Sequence, residues 1–136
     1  MELFVTLAVD ASPEEIWPYF VDFEKRRLWE TDLEKLTYHD AVAEGVTGKM
    51  KLTGMPAMDF TVARSIPGES FWDRTDIPGG SLLFKHDLAQ IDGATHLTQA
   101  VQLEKPGFTT DDVDFLTGVF SDTPGAAWRL KELVEP

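Results

Sequence analysis

The sequence contains no cysteine, which excludes disulfides, thiolate nucleophiles, zinc fingers and iron–sulfur clusters together. Asparagine is absent too, so no N-glycosylation sequon exists. Basic residues are scarce: 12 Lys and Arg stand against 24 Asp and Glu, a formal net charge of -12. A module that grips a phosphate backbone needs a basic face, so nucleic-acid binding is not expected, and adsorption to an anionic membrane surface is disfavoured for the same reason. Apolar runs are all short, so no membrane insertion is expected. The opening Met1–Leu7 carries an early acid and no basic stretch, which is unlike a signal peptide and sets a cytoplasmic expectation.

What the chain does contain is enough for one folded domain. Its 136 residues are 43% hydrophobic and 26% charged, a globular balance without a low-complexity run or linker. Leu3, Val5, Leu7 and Val9 alternate with Phe4, Thr6 and Ala8, the period of a strand. Ser12-Pro13-Glu14-Glu15 then reads as an N-cap, a first-position proline and a capping-box acid. Pro18 should kink or end that helix, and Asp22–Trp29 reads as a second short helix with Phe23, Leu28 and Trp29 inward. Strands are expected over 33–40, 49–54, 59–66, 70–76, 82–91 and 95–104, punctuated by Pro67-Gly68, Pro78-Gly79-Gly80 and the hairpin signal Asp92-Gly93. A last helix should start near Thr109 or Thr110, carry Asp111 and Asp112 at its positive end, and break or bend at Pro124.

Strand, short helices, a meander, then a long helix implies an α+β domain. One apolar sheet face needs a cover, and the C-terminal helix is the obvious one. A curved sheet that does not fully meet that helix leaves an apolar-lined cavity suited to a small hydrophobic or aromatic molecule.

The stretch VTLAVDASPEEIWPYFVDFEKRRLWETDLEKL, the IPGESFWD turn-strand, the GGSLLFKHDLAQIDGATHLTQAVQLE hairpin and the terminal AAWRLKELVE resemble START-like domains of the SRPBCC (Bet v 1-like) superfamily, near its polyketide cyclase/dehydrase group. The resemblance spans nearly the whole chain, residues 1–136 as a single domain. It implies a helix-grip fold: a curved antiparallel sheet of about six to seven strands around a long C-terminal helix, with two short helices after strand 1. It also implies a cavity for hydrophobic, lipid- or polyketide-like ligands. No single chemistry comes with it, since the superfamily holds carriers, receptors, cyclases and hydrolases. No subgroup signature carries catalytic residues over.

Residue chemistry narrows the candidates. His39, His86 and His96 lack ligand spacing, so no metal and no cofactor is expected. On expected inward faces, Phe60 and Val62 accompany Arg64, Phe71 accompanies Asp73, Phe84 accompanies His86, and Leu97 accompanies Gln99. These faces would bring Arg64, Asp73, His86 and Gln99 into one apolar cavity, with Met50, Phe60, Trp72, Phe84, Phe115 and Val119 as lining. A bulge would flip any such face, and Arg64 near a strand end has solvent or an ion pair as its rival fate. Three functions follow: a carrier of a hydrophobic ligand; a cyclase or dehydratase with His86 as acid/base, Arg64 on an oxyanion and Asp73 as a further candidate; or an interaction domain using a sheet edge or the Met55–Met58 loop. A homodimer is compatible with the last.

Overall fold

A computed structural model describes all 136 residues. β1 (Glu2–Val9) leads into three one-turn helices, α1 (Pro13–Ile16), α2 (Pro18–Val21) and α3 (Phe23–Arg26). Six strands follow: β2 (Leu33–Tyr38), β3 (Thr47–Leu52), β4 (Met58–Ile66), β5 (Ser70–Ile77), β6 (Gly80–Ile91) and β7 (Ala94–Glu104). The chain closes with α4 (Thr110–Phe120) and α5 (Thr123–Val134). All seven strands form one antiparallel sheet in the order β1-β7-β6-β5-β4-β3-β2, the helix-grip arrangement. No helix is long and apolar enough to cross a membrane.

Local chemistry sets the boundaries. The Ser12 hydroxyl accepts from the Glu15 amide at 3.1 Å, and Pro13 needs no donor in the first turn. Pro18 splits the first helical segment: α1 ends at Ile16 and Pro18 begins α2, so three short turns replace the two helices expected. Asp92 and Gly93 both have positive φ, 52° and 80°, which suits the twist of the β6–β7 hairpin. Thr109 and Asp112 form a reciprocal capping box on α4. The expected long terminal helix is two helices bent at Ser121–Asp122, just before Pro124.

Two apolar clusters fill the space between sheet and helices. One joins Ile16, Phe20, Trp29, Phe60, Val62, Phe71, Leu88 and Leu97 to Ala126 and Leu130 of α5. The other joins Leu82, Val101 and Leu103 to Leu116 of α4. Burying side chains of this size stabilises by roughly 1.5–3 kcal/mol each before entropy is counted. Trp29 reaches this core because its indole nitrogen donates to the Tyr19 carbonyl at 2.8 Å. Leu28, expected inward beside it, lies in the turn just past the end of α3 and is 52% exposed.

Candidate functional site

The register of β5, β6 and β7 builds the site. Phe71 lies opposite His86, and His86 opposite Gln99, so the three side chains leave the sheet on the same face. One step along, Asp73 lies opposite Phe84, which faces Val101. Asp73, His86 and Gln99 are 1%, 5% and 2% exposed, buried in an otherwise apolar interior.

His86 is held as a fixed plane. Its ring stacks on Phe20 at 5.4 Å and Phe71 at 6.3 Å, and Trp29 meets its edge at 5.8 Å. Nδ1 is hydrogen-bonded to Gln99 Oε1. Burial, helped by the nearby Arg26 guanidinium, lowers the His86 pKa to about 4, so the ring is neutral at pH 7. His86 Nε2 and Gln99 Nε2 find no hydrogen-bond partner in the protein.

Beside them lies an ionic cluster supplied by the short helices. Arg26 is 2% exposed and grips Glu30 with two contacts, Nε to Oε2 at 2.9 Å and Nη2 to Oε1 at 3.3 Å. Its Nη1 donates to the Phe20 carbonyl at 3.4 Å, and its Nη2 stands 3.7 Å from Asp73 Oδ2. Burial works against the Arg26 charge, but Glu30 and Asp73 outweigh it and its pKa rises. Glu30, which keeps 23% exposure, is pushed up by burial but pulled further down by Arg26. Asp73 is the strained member: burial raises its pKa to about 6 against the pull of Arg26, and neither carboxyl oxygen makes a hydrogen bond.

A cavity of about 40 Å³ opens next to His86 and Gln99. Phe84, Ala100 and Val101 wall it from the sheet, Trp29 and Glu30 from the segment that follows α3, and Thr123 and Ala126 from α5. It therefore lies where the two core clusters meet. At roughly 10–15 Å³ per enclosed water this is room for about three non-hydrogen atoms. The spacious hollow expected from the sequence is thus largely filled by Phe20, Trp29, Phe71 and Leu130, and what remains could not enclose a lipid or a polyketide. A larger depression of about 900 Å³ lies at the far end, between Ala8–Ser12, the Gly93 turn and Lys131–Pro136. It is open, and its prominent polar groups are already paired: Glu135 accepts from Lys131 at 2.6 Å and from the Asp10 amide at 2.9 Å. The smaller cavity, with unmet polar atoms on its wall, is the better candidate.

The structure does not bring all the expected residues together. A register shift between Val62 and Arg64 puts an extra residue in β4 and turns Arg64 to the outer face opposite Trp72, where its guanidinium lies 5.3 Å from the indole. Trp72 also leaves the interior; its ring nitrogen donates to Asp87 at 2.8 Å. Met50 and Phe60 pack in the core beneath β3 and β4, away from the cavity. Phe115 is 44% exposed, and Val119 packs on the second cluster without reaching the cavity. Asp73 sits behind the cavity wall, next to Arg26. Phe84, His86 and Gln99 line it. Arg26 and Glu30 were missed by sequence reasoning; their i, i+4 spacing was the available signal, though it usually marks an exposed pair.

Neither a family model nor a curated protein matches the chain. Solved structures do match its fold. An Aha1 dimer from Colwellia psychrerythraea superposes with a TM-score of 0.73 at 19% identity, over 99% of this chain and 96% of that one. Protein MLL2253 from Mesorhizobium loti gives 0.76 at 16% identity, over 98% and 96%. CalU16 from Micromonospora echinospora gives 0.69 at 16% identity, over 98% and 73%. These neighbours are consistent with a Bet v 1-like, SRPBCC fold.

Proposed function

We propose that this chain is a binding module of the SRPBCC superfamily that takes a small amphiphilic molecule between the sheet and α5, head group inward. The observation that carries this reading is the pair of buried, unpartnered atoms, His86 Nε2 and Gln99 Nε2, on the wall of a cavity. Leaving a buried polar atom unmet costs about 1–3 kcal/mol, and a ligand head that meets two of them recovers that cost on binding. Arrival of the apolar body requires the cleft to widen, and the first turn of α5 is the wall least firmly fastened. Its N-cap, Asp122, makes no side-chain capping bond, and the turn contains Gly125. Glu30 and Thr123, both partly exposed, flank the mouth.

The cyclase reading is weaker on this geometry. Arg64 lies on the outer face and cannot hold an oxyanion at His86, and a histidine with a pKa of about 4 is a poor general base near pH 7.

The test uses 2-naphthol, an apolar body with a hydroxyl head. Saturable quenching of the tryptophan fluorescence to which Trp29 contributes, and a raised melting temperature, are expected, with both effects lost in Ala126→Leu, which fills the cavity. No saturable binding, or equal binding by the filled variant, would refute the proposal.

A further inference from the structure

The two unmet atoms also define the chemistry of the ligand. His86 and Gln99 face each other across β6 and β7 and are bonded to one another through Nδ1 and Oε1. With the imidazole neutral, Nδ1–H donates to Oε1. The atoms left over are then a lone pair on His86 Nε2, which accepts, and the Gln99 amide NH₂, which donates. Turning the glutamine amide over reverses both roles, so that Nε2–H donates and Oε1 accepts. In either arrangement the unmet atoms of the pair are one donor and one acceptor, while Glu30 on the same wall has both oxygens already accepting from Arg26. The stacking of Phe20 and Phe71 on the imidazole keeps that pattern fixed in direction.

Resting on the binding function proposed above, we infer that the head group is neutral, planar and of the amide type, carrying one donor beside one acceptor: a primary or cis-amide, or an un-ionised carboxyl. The cavity volume fits, because about 40 Å³ accommodates the three atoms of an N–C=O unit and little more. Ions do not fit. A carboxylate has only acceptors, so one of its oxygens would face the acceptor of the His86–Gln99 pair. An ammonium has only donors and would face the donor, and the Glu30 carboxylate on the wall is already held through both oxygens by Arg26. The nearby Arg26 charge is already engaged by Glu30 and Asp73, so it offers no counter-ion to an anionic head.

Four probes of similar size separate these possibilities: acetamide, acetone, acetate and acetamidinium. Each is titrated into protein ¹⁵N-labelled in its histidine and glutamine side chains. Acetamide is expected to shift the His86 ring and Gln99 amide resonances saturably, with millimolar affinity, since so small a ligand has few atoms to contribute. The other three are expected to bind those groups at least tenfold more weakly. Gln99→Met preserves side-chain length and is expected to abolish the preference for acetamide over acetone. Should that variant fail to fold, the four-probe comparison on the unaltered protein still decides. Acetone binding as tightly as acetamide would overturn the head-group inference and leave the binding function standing. Tighter binding of acetate would overturn the neutral head in favour of an anion. No saturable shift by any probe, together with no binding of 2-naphthol, would overturn both.

Discussion

Asp73 and His86 are buried titratable neighbours displaced in opposite directions, and their effects on stability oppose one another. Asp73 has a folded pKa of about 6, above its unfolded value near 4. The native state therefore holds the extra proton between those values, and this residue makes stability fall as pH rises from 4 to 6. His86 has a folded pKa of about 4 against an unfolded value near 6.5. There the unfolded chain holds the extra proton, and stability rises with pH over almost the same window. Each effect is on the order of 3 kcal/mol, so in the unaltered protein they largely cancel. Asp73→Asn should expose the histidine, giving stability that climbs from pH 4 to 6.5 more steeply than in the parent. His86→Gln should expose the aspartate, giving a profile that falls relative to the parent. Urea unfolding at half-unit pH steps checks both; two variants whose profiles parallel the parent's would show that neither group is perturbed as described. Arg26 ties the pair together, and its burial was not legible in the sequence. Its neighbours Lys25 and Arg27 are exposed, and nothing in a Lys-Arg-Arg run says which side chain the tertiary structure will enclose.

Among the elements, several features decided by a few adjacent residues were legible, whereas the bulge in β4 and the closeness of helix docking were not. The Ser12-Pro13 helix start and the Asp92-Gly93 turn are decided by a few adjacent residues, and both are where the pattern places them. The alternation in β5, β6 and β7 likewise gave the right inward faces for Asp73, His86 and Gln99. β4 failed at its bulge: inserting one unpaired residue leaves composition and alternation looking ordinary, yet it sends Arg64 to the opposite face. The size of the cavity was illegible for a related reason. Apolar periodicity says which face of a helix is buried, not how closely it docks. Glycines show the same contrast between local and tertiary control. A Cβ on Gly48 of β3 would stand 2.3 Å from the Thr37 carbonyl oxygen and 2.5 Å from Phe60 Cζ. Gly48→Ala should therefore force β2 and β4 apart and cost about 1–3 kcal/mol. On Gly125 of α5 the nearest atom to such a Cβ is Arg129 Nη1 at 3.6 Å, so Gly125→Ala should stabilise by about 0.5–1 kcal/mol through helix propensity. Urea midpoints that move in the same direction for both variants would contradict this assignment of space.

At the scale of the whole molecule the dominant feature is charge. Most basic side chains are already committed to ion pairs, such as Lys49 with Asp59 at 2.8 Å, Lys85 with Glu2 at 3.0 Å and Lys105 with Asp112 at 2.9 Å. The excess that makes the net charge -12 is therefore carried by acids without a cationic partner. Two opposing terms respond to salt. Exposed ion pairs weaken as they are screened, but each contributes only about 0–1 kcal/mol. Repulsion among the remaining acids is relieved, and gathering that net charge into a folded domain costs on the order of several kcal/mol more than in an unfolded chain two to three times its radius. The second term wins. Raising sodium chloride from about 20 to 200 mM shortens the screening length from roughly 20 to 7 Å and should raise the melting temperature by several degrees, with potassium chloride acting equally at equal ionic strength. The buried cluster lies out of reach of this screening, so the differences among the Asp73→Asn, His86→Gln and parent pH profiles should survive the added salt. A melting temperature that falls on adding salt would mean that the surface ion pairs outweigh the acidic excess, and the charge balance drawn here would have the wrong sign.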